Sequence, residues 1–373
     1  TKEMNSALAK EQREQRCMSQ ALALASKGLY TTRPNPRVGC VIVLGDEVVG
    51  EGWHEWAGES HAEIMALEQA GRRASGAEVF VTLEPCSHTG RTGPCVDSLI
   101  RAGVKRVVAA MLDPNPKISG QGVETLRAAG IDVDVGIGSV EAHKLNEGFV
   151  KRMETGRPLV RVKVAATLDG RTAAMDGSSQ WITSEAARQD VHRLRARSCA
   201  LVTGIGTVIE DDPRLNARVD EPLAPSLRVV LDGNARLEPG AAIFSVPGPV
   251  LIVTSGKDPY DYIFDSRTEC MRMTGADGRV DLSGLVELLG QRGCNDILVE
   301  AGAGVSGAFM AAGLVDEIVT YNSPDVLGSS GRGMFVVRGI RSMKDRIRYE
   351  ILDVGRIGPD IKVIYRPIRD GSE

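Results

Sequence analysis

The chain of 373 residues has 42% hydrophobic and 25% charged side chains and a formal net charge of −4, an ordinary globular composition with length enough for two domains of roughly 100–200 residues each. That charge argues against a general nucleic-acid binder, which presents a basic face, and an aromatic share of 4% removes stacking as a widespread recognition device. No window approaches the ~20 apolar residues of a membrane span, and Lys10, Glu11, Arg13, Glu14 and Arg16 break up the stretch where a signal peptide would need an apolar run, so no membrane partner and a cytoplasmic location are expected.

In chain order, Met18, Ala21, Leu22 and Ala25 recur at helical spacing and predict a helix over 16–27. Gly39 to Leu44 and Val79 to Leu83 are short β-branched runs and read as strands, with a helix from His61 to Ala70 between them, closed by Gly71. A strand at Val104 to Met111 is followed by the turn Asp113-Pro114-Asn115-Pro116. Helix Gly120 to Gly130, strand Ile131 to Val135 and a helix over Glu141 to Glu154 complete a β-α-β-α order that implies a mostly parallel sheet covered by helices. Thr155-Gly156-Arg157-Pro158 is the expected seam, giving domains 1–155 and 156–373. The alternation resumes with strands at Leu159 to Ala166, Ala200 to Thr203, Leu227 to Leu231, Val250 to Thr254, Asp296 to Val299 and Glu317 to Tyr321, while Asn234 to Pro249 reads as a surface connection. No internal repeat is visible, so the halves are expected to be different folds of the α/β class.

Of the seven cysteines, Cys17, Cys40, Cys199, Cys270 and Cys294 read as small buried hydrophobes. Cys86 and Cys95 differ because each follows a proline and both accompany His61-Ala62-Glu63. One imidazole and two thiolates give one zinc ion three protein ligands and leave a tetrahedral position open to water, the catalytic rather than the structural arrangement. A structural site would need a fourth ligand, for which His54 and His88 are the candidates. Glu63 suits a proton shuttle between that water and a departing amine, provided His61 stands at the mouth of its helix and Glu63 in the first turn. A histidine and a carboxylate two residues apart, or two cysteines alone, would be coincidence; the three elements together follow the zinc nucleobase deaminase signature, with the second half stretched to Cys86-x8-Cys95.

The runs Pro34-Asn35-Pro36-Arg37-Val38-Gly39-Cys40, Gly52-Trp53-His54…His61-Ala62-Glu63 and Thr82-Leu83-Glu84-Pro85-Cys86-Ser87-His88-Thr89-Gly90-Arg91-Thr92-Gly93-Pro94-Cys95 resemble the pyrimidine deaminases of riboflavin biosynthesis. The resemblance implies a cytidine-deaminase-like three-layer α/β/α domain, with Asn35, His54, His88 and Arg91 contacting substrate. Gly93 stands where that family commonly has proline. From about Leu159 the chain resembles the reductase fused to this deaminase, on Arg161 to Arg171, Ser179 to Thr183, His192 to Ala196, Gly206 to Arg218 and Val299 to Gly302. That implies a dihydrofolate-reductase-like α/β domain, NADPH as cofactor, a small phosphorylated pyrimidine as substrate, and homo-oligomers, dimeric or tetrameric.

The resemblance assigns Ala165, Trp181, Thr207, Asp211 and the turn Gly302, Ala303, Gly304, Val305, Ser306, Gly307, Ala308 to NADPH, and Lys163, Ser179, Arg195, Leu215, Arg218 and Glu300 to the substrate. Glycines between a strand and a helix let phosphate approach backbone N–H groups; a tight packing turn is the alternative. Arg195 and Arg218 suit a phosphate as guanidinium forks, or are merely solvated charges. Lys163 lies on an apolar strand, where either a ligand hydroxyl or an internal ion pair would explain it. Gly233 replaces a serine common in the family at a cofactor contact. Two other readings compete: a cytidine or tRNA-adenosine deaminase with an unrelated appendage, and a non-catalytic zinc-stabilised nucleotide sensor.

Overall fold

The computed structural model describes residues 2–87, 93–256, 260 and 264–368, with side chains from residue 7 onward. The chain divides into two compact units, Thr1–Gly156 and Arg157–Glu373.

The first unit runs α1 (Lys2–Lys27), β1 (Gly39–Leu44), β2 (Glu47–Trp53), α2 (Ala62–Ala70), β3 (Glu78–Val81), α3 (Cys95–Ala102), β4 (Arg106–Ala109), α4 (Gln121–Ala128), β5 (Asp132–Val135), α5 (Ser139–Leu145) and α6 (Glu147–Thr155). Its sheet has the order β2-β1-β3-β4-β5; β1 is antiparallel to both neighbours, and β3, β4 and β5 are parallel. Cys40, Ile42, Val79, Val81 and Val107 pack on one side against Ala62 and Ala66 of α2, Leu99 of α3 and Leu126 of α4. Val41, Val43, Phe80 and Val108 pack on the other against Met18 and Ala21 of α1. Burial on both faces explains why these strands are continuous apolar runs, and makes three layers. A Cβ on Gly52 would come 2.4 Å from the Ala62 carbonyl oxygen, so glycine there lets α2 lie directly on the hairpin.

The second unit contains β6 (Leu159–Thr167), β7 (Arg171–Ala173), α7 (Glu185–Arg197), β8 (Ala200–Gly204), α8 (Ile205–Asp211), β9 (Leu227–Leu231), β10 (Val250–Thr254), β11 (Thr268–Arg272), α9 (Leu282–Gln291), β12 (Asp296–Val299), α10 (Ala303–Ala311), β13 (Glu317–Ser323), β14 (Arg332–Gly333), β15 (Tyr349–Ile357) and β16 (Asp360–Pro367). Nine of these strands form one sheet, β11-β10-β9-β8-β12-β6-β13-β16-β15, parallel from β11 to β13 and antiparallel at the β16–β15 end. Leu285 and Leu289 of α9 and Phe309 of α10 cover one face; Ala187, Val191 and Leu194 of α7 cover the other.

The structure departs from the sequence expectations in several elements, and the first helix, expected over 16–27, begins already at Lys2. The helix over 141–154 is two helices broken at Asn146. The first sheet is mixed rather than mostly parallel, because β1 pairs antiparallel both with β3 and with an added strand, β2, which the glycine-interrupted sequence EVVGEGW concealed. The hairpin β15–β16 was not foreseen, because β15 is exposed almost throughout and shows no buried face. The stretch 234–249 is the irregular surface connection expected, anchored at two points: Leu237 and Ile243 are buried, and the Arg228 guanidinium donates to the Ile243, Val246, Pro247 and Gly248 carbonyls.

Candidate active sites

His61 is the N-cap of α2, extended at φ −73 and ψ 160, and its carbonyl accepts from Ile64 and Met65 N–H. Glu63 therefore sits in the first turn, beside rather than behind the imidazole. Cys95 opens α3, with Pro94 as its cap. Cys86 is not itself at a helix start, but its Sγ accepts the Cys95 backbone N–H at 3.3 Å, so the positive end of α3 serves both sulfurs. His61 Nδ1 lies 3.2 Å from Cys95 Sγ and 3.5 Å from Cys86 Sγ, and the three donor atoms fall within 4.8 Å of one another. A tetrahedral zinc at usual bond lengths needs about 3.6 Å between N and S donors and about 3.8 Å between the sulfurs. The donor set fits.

The electrostatics suit a metal. The hydrogen bond between the two cysteine sulfurs holds Cys86 below its ordinary value and, with burial, pushes Cys95 above it; metal binding displaces the shared proton. His61 is raised, first by its bond to Cys86. Glu63 is pushed up to about 7, first by burial and then by the Cys86 charge, the range in which a carboxyl group can both take and give a proton.

Asn35 Nδ2 lies 3.0 Å from His54 Nε2, and His54 Nδ1 lies 3.1 Å from the Ser60 carbonyl. An amide N–H and a carbonyl as partners require Nδ1 to carry the proton, and burial lowers the His54 pKa in agreement. Both ring nitrogens are thus engaged, so His54 is not a fourth metal ligand. Its ring meets that of His61 edge-on at 5.6 Å, which places Asn35 and His54 beside the metal group with the Asn35 carbonyl oxygen as an acceptor. Asn146 fixes this segment by accepting from Arg37 N–H at 2.8 Å and donating to its carbonyl at 2.9 Å, a clasp across 109 positions that sequence spacing could not reveal. His88 and Arg91 lie outside the described residues.

In the second unit Lys163 on β6, Arg195 on α7 and Glu300 just after β12 come together, and the other assigned residues are placed one by one. Arg195 of α7 donates to both oxygens of Glu300 at 2.6 and 2.9 Å, and Lys163 Nζ lies 3.6 Å from Glu300 Oε2; the internal ion pair raised as one explanation of Lys163 is present. Arg218 donates its N–H to His192 Nδ1 at 3.2 Å and its guanidinium to Asn216 Oδ1 at 3.1 Å. Burial, then Arg195 and Arg218, push His192 down to about 4, so it stays neutral among them. Leu215 is buried at φ +47. Trp181, 69% exposed, has the Arg188 guanidinium 4.4 Å from its ring centroid, with half-buried Ser179 nearby in sequence. Ala165 lies opposite Tyr321 at the β6–β13 junction, and Asp211 is the last residue of α8, raised by burial and by Glu210.

The glycine turn splits. Gly302 caps α10; Cβ atoms on Gly304 or Gly206 would meet nothing within 4 Å, and one on Gly302 would reach only Thr207 Oγ1, at 4.0 Å. This open cradle between α8 and α10 fits a dinucleotide phosphate. Ala303, Val305 and Ala308 are half-buried on the same helix. Ser306 is buried and donates its hydroxyl to the Ala301 carbonyl, and a Cβ on Gly307 would stand 2.1 Å from the Val336 carbonyl oxygen, so these two serve packing.

A His-Cys-Cys group set at two helix starts and the loop between them, with a buried glutamate beside it, in a chain whose second, largely parallel-sheet unit carries an Arg195–Glu300–Lys163 cluster and a glycine cradle, defines a zinc-dependent deaminase with an NADPH-dependent reductase. Residues 11–111 match the cytidine and deoxycytidylate deaminase zinc-binding region, and residues 158–363 match the RibD C-terminal domain. The riboflavin biosynthesis protein RibD of Escherichia coli is 46% identical over 92% of this chain and 96% of its own length; that of Haemophilus influenzae is 44% identical over 94% and 96%. The solved structure of Acinetobacter baumannii RibD, form 1, superposes with a TM-score of 0.89 at 44% identity, covering 96% of this chain and all of that one. A Thermotoga maritima structure described as a diaminohydroxyphosphoribosylaminopyrimidine deaminase/5-amino-6-(5-phosphoribosylamino)uracil reductase superposes at 0.86 with 33% identity, over 96% and 100%. The chain belongs to the RibD family of bifunctional riboflavin biosynthesis enzymes. A nucleoside deaminase with an unrelated appendage is set aside by the reductase match, which spans most of the second unit. Among the described residues no helix is long and apolar enough to cross a membrane.

Proposed function

We propose that residues 1–155 deaminate a diaminopyrimidinone ribosyl phosphate and that residues 156–373 reduce the ribosyl group of the product to ribityl. The buried carboxyl of Glu63 beside the His61, Cys86 and Cys95 donors carries the reading. Zinc, when held by these three, supplies Lewis acidity that makes water a nucleophile at neutral pH. Glu63 takes a proton at its carboxyl oxygen and hands it to the amine, which leaves as ammonia. Asn35, its amide N–H committed to His54, turns an acceptor oxygen to the ring, and His88 and Arg91 complete the contacts to the substrate.

In the reductase, the cradle of Gly302, Gly304 and Thr207 would hold NADPH, which would supply hydride to the sugar C1′, with Ala165, Trp181, Asp211, Ala303, Val305 and Ala308 as further contacts, while Ser306 and Gly307 hold the turn in place. Arg195 and Arg218 hold the phosphate, while Lys163, Ser179, Leu215 and Glu300 shape the sugar pocket. The opposed charges on Glu300 support this reading, because Arg195 is held in place yet keeps donors for a ligand. Assembly into dimers or tetramers draws support from β15, an edge strand exposing Ile351, Leu352 and Val354. A reducing cytoplasm suits seven free cysteines.

The test follows ammonia release and NADPH oxidation separately. Glu63→Ala is expected to lose deamination by about 10²–10⁴-fold, keeping one zinc per chain and full reduction of the deaminated intermediate. Deamination surviving in that variant would overturn the role given to Glu63.

A further inference from the structure

Glu84 is used by no step above, yet its buried carboxylate is among the most heavily hydrogen-bonded groups of the first unit. Its backbone N–H donates to the Met111 carbonyl at 2.9 Å, carrying the β3–β4 pairing beyond both strands. Its side chain then accepts four backbone N–H bonds: Oε2 from Asp113 and Gly120, each at 2.9 Å, and Oε1 from Gly122 at 2.8 Å and Val123 at 3.1 Å. The donors span the β4–α4 connection from Asp113 onward, and the last two belong to the first turn of α4. Charge-assisted bonds of this kind are about twice as strong as neutral ones, and a helix N-terminus favours the negative charge.

The next two residues lead into the metal group. The Pro85 carbonyl lies against α4 so closely that a Cβ on Gly122 would stand 2.1 Å from its oxygen. The Cys86 carbonyl accepts from Val96 N–H at 3.2 Å, and its sulfur accepts from Cys95 N–H at 3.3 Å. The Glu84–Cys86 segment is thus gripped by the first turn of α4 on one side and by that of α3 on the other. We propose that Glu84 is a positioning residue for the metal centre: its clasp on 113–123 sets where the Cys86 sulfur stands relative to His61 and Cys95. The proposal rests on the deaminase reading for its purpose, though not for its test.

Glu84→Gln keeps the shape but turns an NH₂ group toward backbone donors. Gly122→Ala presses on the Pro85 carbonyl with no change of charge. Leu126→Ala, in the core under α4, is the control that weakens the same helix away from Cys86. In the full chain, zinc transfer to a chelator is timed, and the ligand-field bands of the cobalt(II)-substituted protein are recorded as a signature of the geometry. Glu84→Gln and Gly122→Ala are expected to release zinc faster by about tenfold or more, the scale seen when groups orienting metal ligands are lost, and to shift the cobalt bands; Leu126→Ala is expected to do neither. Unchanged release and bands in both clasp variants would reduce Glu84 to a structural role. Neither measurement needs turnover, so a wild-type chain that binds zinc but frees no ammonia would sink the deaminase reading and leave the clasp standing.

Discussion

Glu300 shows how one carboxylate can order two cations unequally. Arg195 holds both its oxygens, and Lys163 stands farther off at 3.6 Å. Although burial opposes ionisation, Arg195 and then Lys163 bring Glu300 down to about 2 from 4.5. Lys163 is nonetheless lowered, first by burial, with Arg195 opposing what Glu300 gives back. The two shifts pull apart because Glu300 belongs mainly to Arg195, which leaves Lys163 the looser cation and the freer donor. A carboxyl depressed on folding stabilises the fold above its unfolded value and loses that contribution as pH falls through the folded one. The stability gap between wild type and Glu300→Gln is therefore expected to be of order 3 kcal/mol above pH 4.5 and to close toward about 2. Denaturant titrations across that window check it, and a gap indifferent to pH would refute it. Reduction should fall sharply in the same variant, while ammonia release stays at the wild-type rate.

Within α10, two glycines three residues apart face opposite demands. Gly307→Ala drives a methyl into the Val336 backbone and is expected to cost about 1–3 kcal/mol of stability, as overpacking does. Gly304→Ala meets open space and gains helix propensity, so its stability should hold or rise while KM for NADPH climbs by on the order of tenfold through obstruction of the phosphate cradle. A thermal melt and an NADPH titration of each variant separate the two, and a reversed pattern would exchange their roles. The same helix marks where sequence reading runs out. Period and composition located β12 and the turn after it, because a buried parallel strand is a continuous apolar run, but they could not say which glycine faces open space and which meets Val336. The metal group was legible because His61 and Glu63, and Cys86 and Cys95, fall in two short runs of sequence whose residue types themselves name the chemistry. The clasps made by Glu84, Asn146 and Arg228 were not, since each pairs a side chain with backbone far along the chain, and a backbone N–H or carbonyl leaves no mark on residue identity. The hairpin β15–β16 escaped for another reason: an exposed edge strand has no buried face to impose alternation.

Each unit of the molecule encloses its own apolar core, one packed around β1, β3 and β4, the other around β6, β8 and β12. Metal affinity is folding free energy for the unit that supplies the ligands, and a ligand at a thousand times its dissociation constant adds about 4 kcal/mol. His61, Cys86 and Cys95 all belong to the first unit, so chelating zinc from the whole chain should lower the melting transition of that unit and leave the other where it was. Ammonia release should vanish with the metal and return on its addition. NADPH oxidation, assayed with substrate already deaminated, should be unaffected throughout, because the Lys163, Arg195 and Glu300 group and the glycine cradle all belong to the second unit. If the reductase rate instead fell in proportion to zinc occupancy, the division of labour between the two cores would be wrong, and the metal would have to be counted among the supports of both.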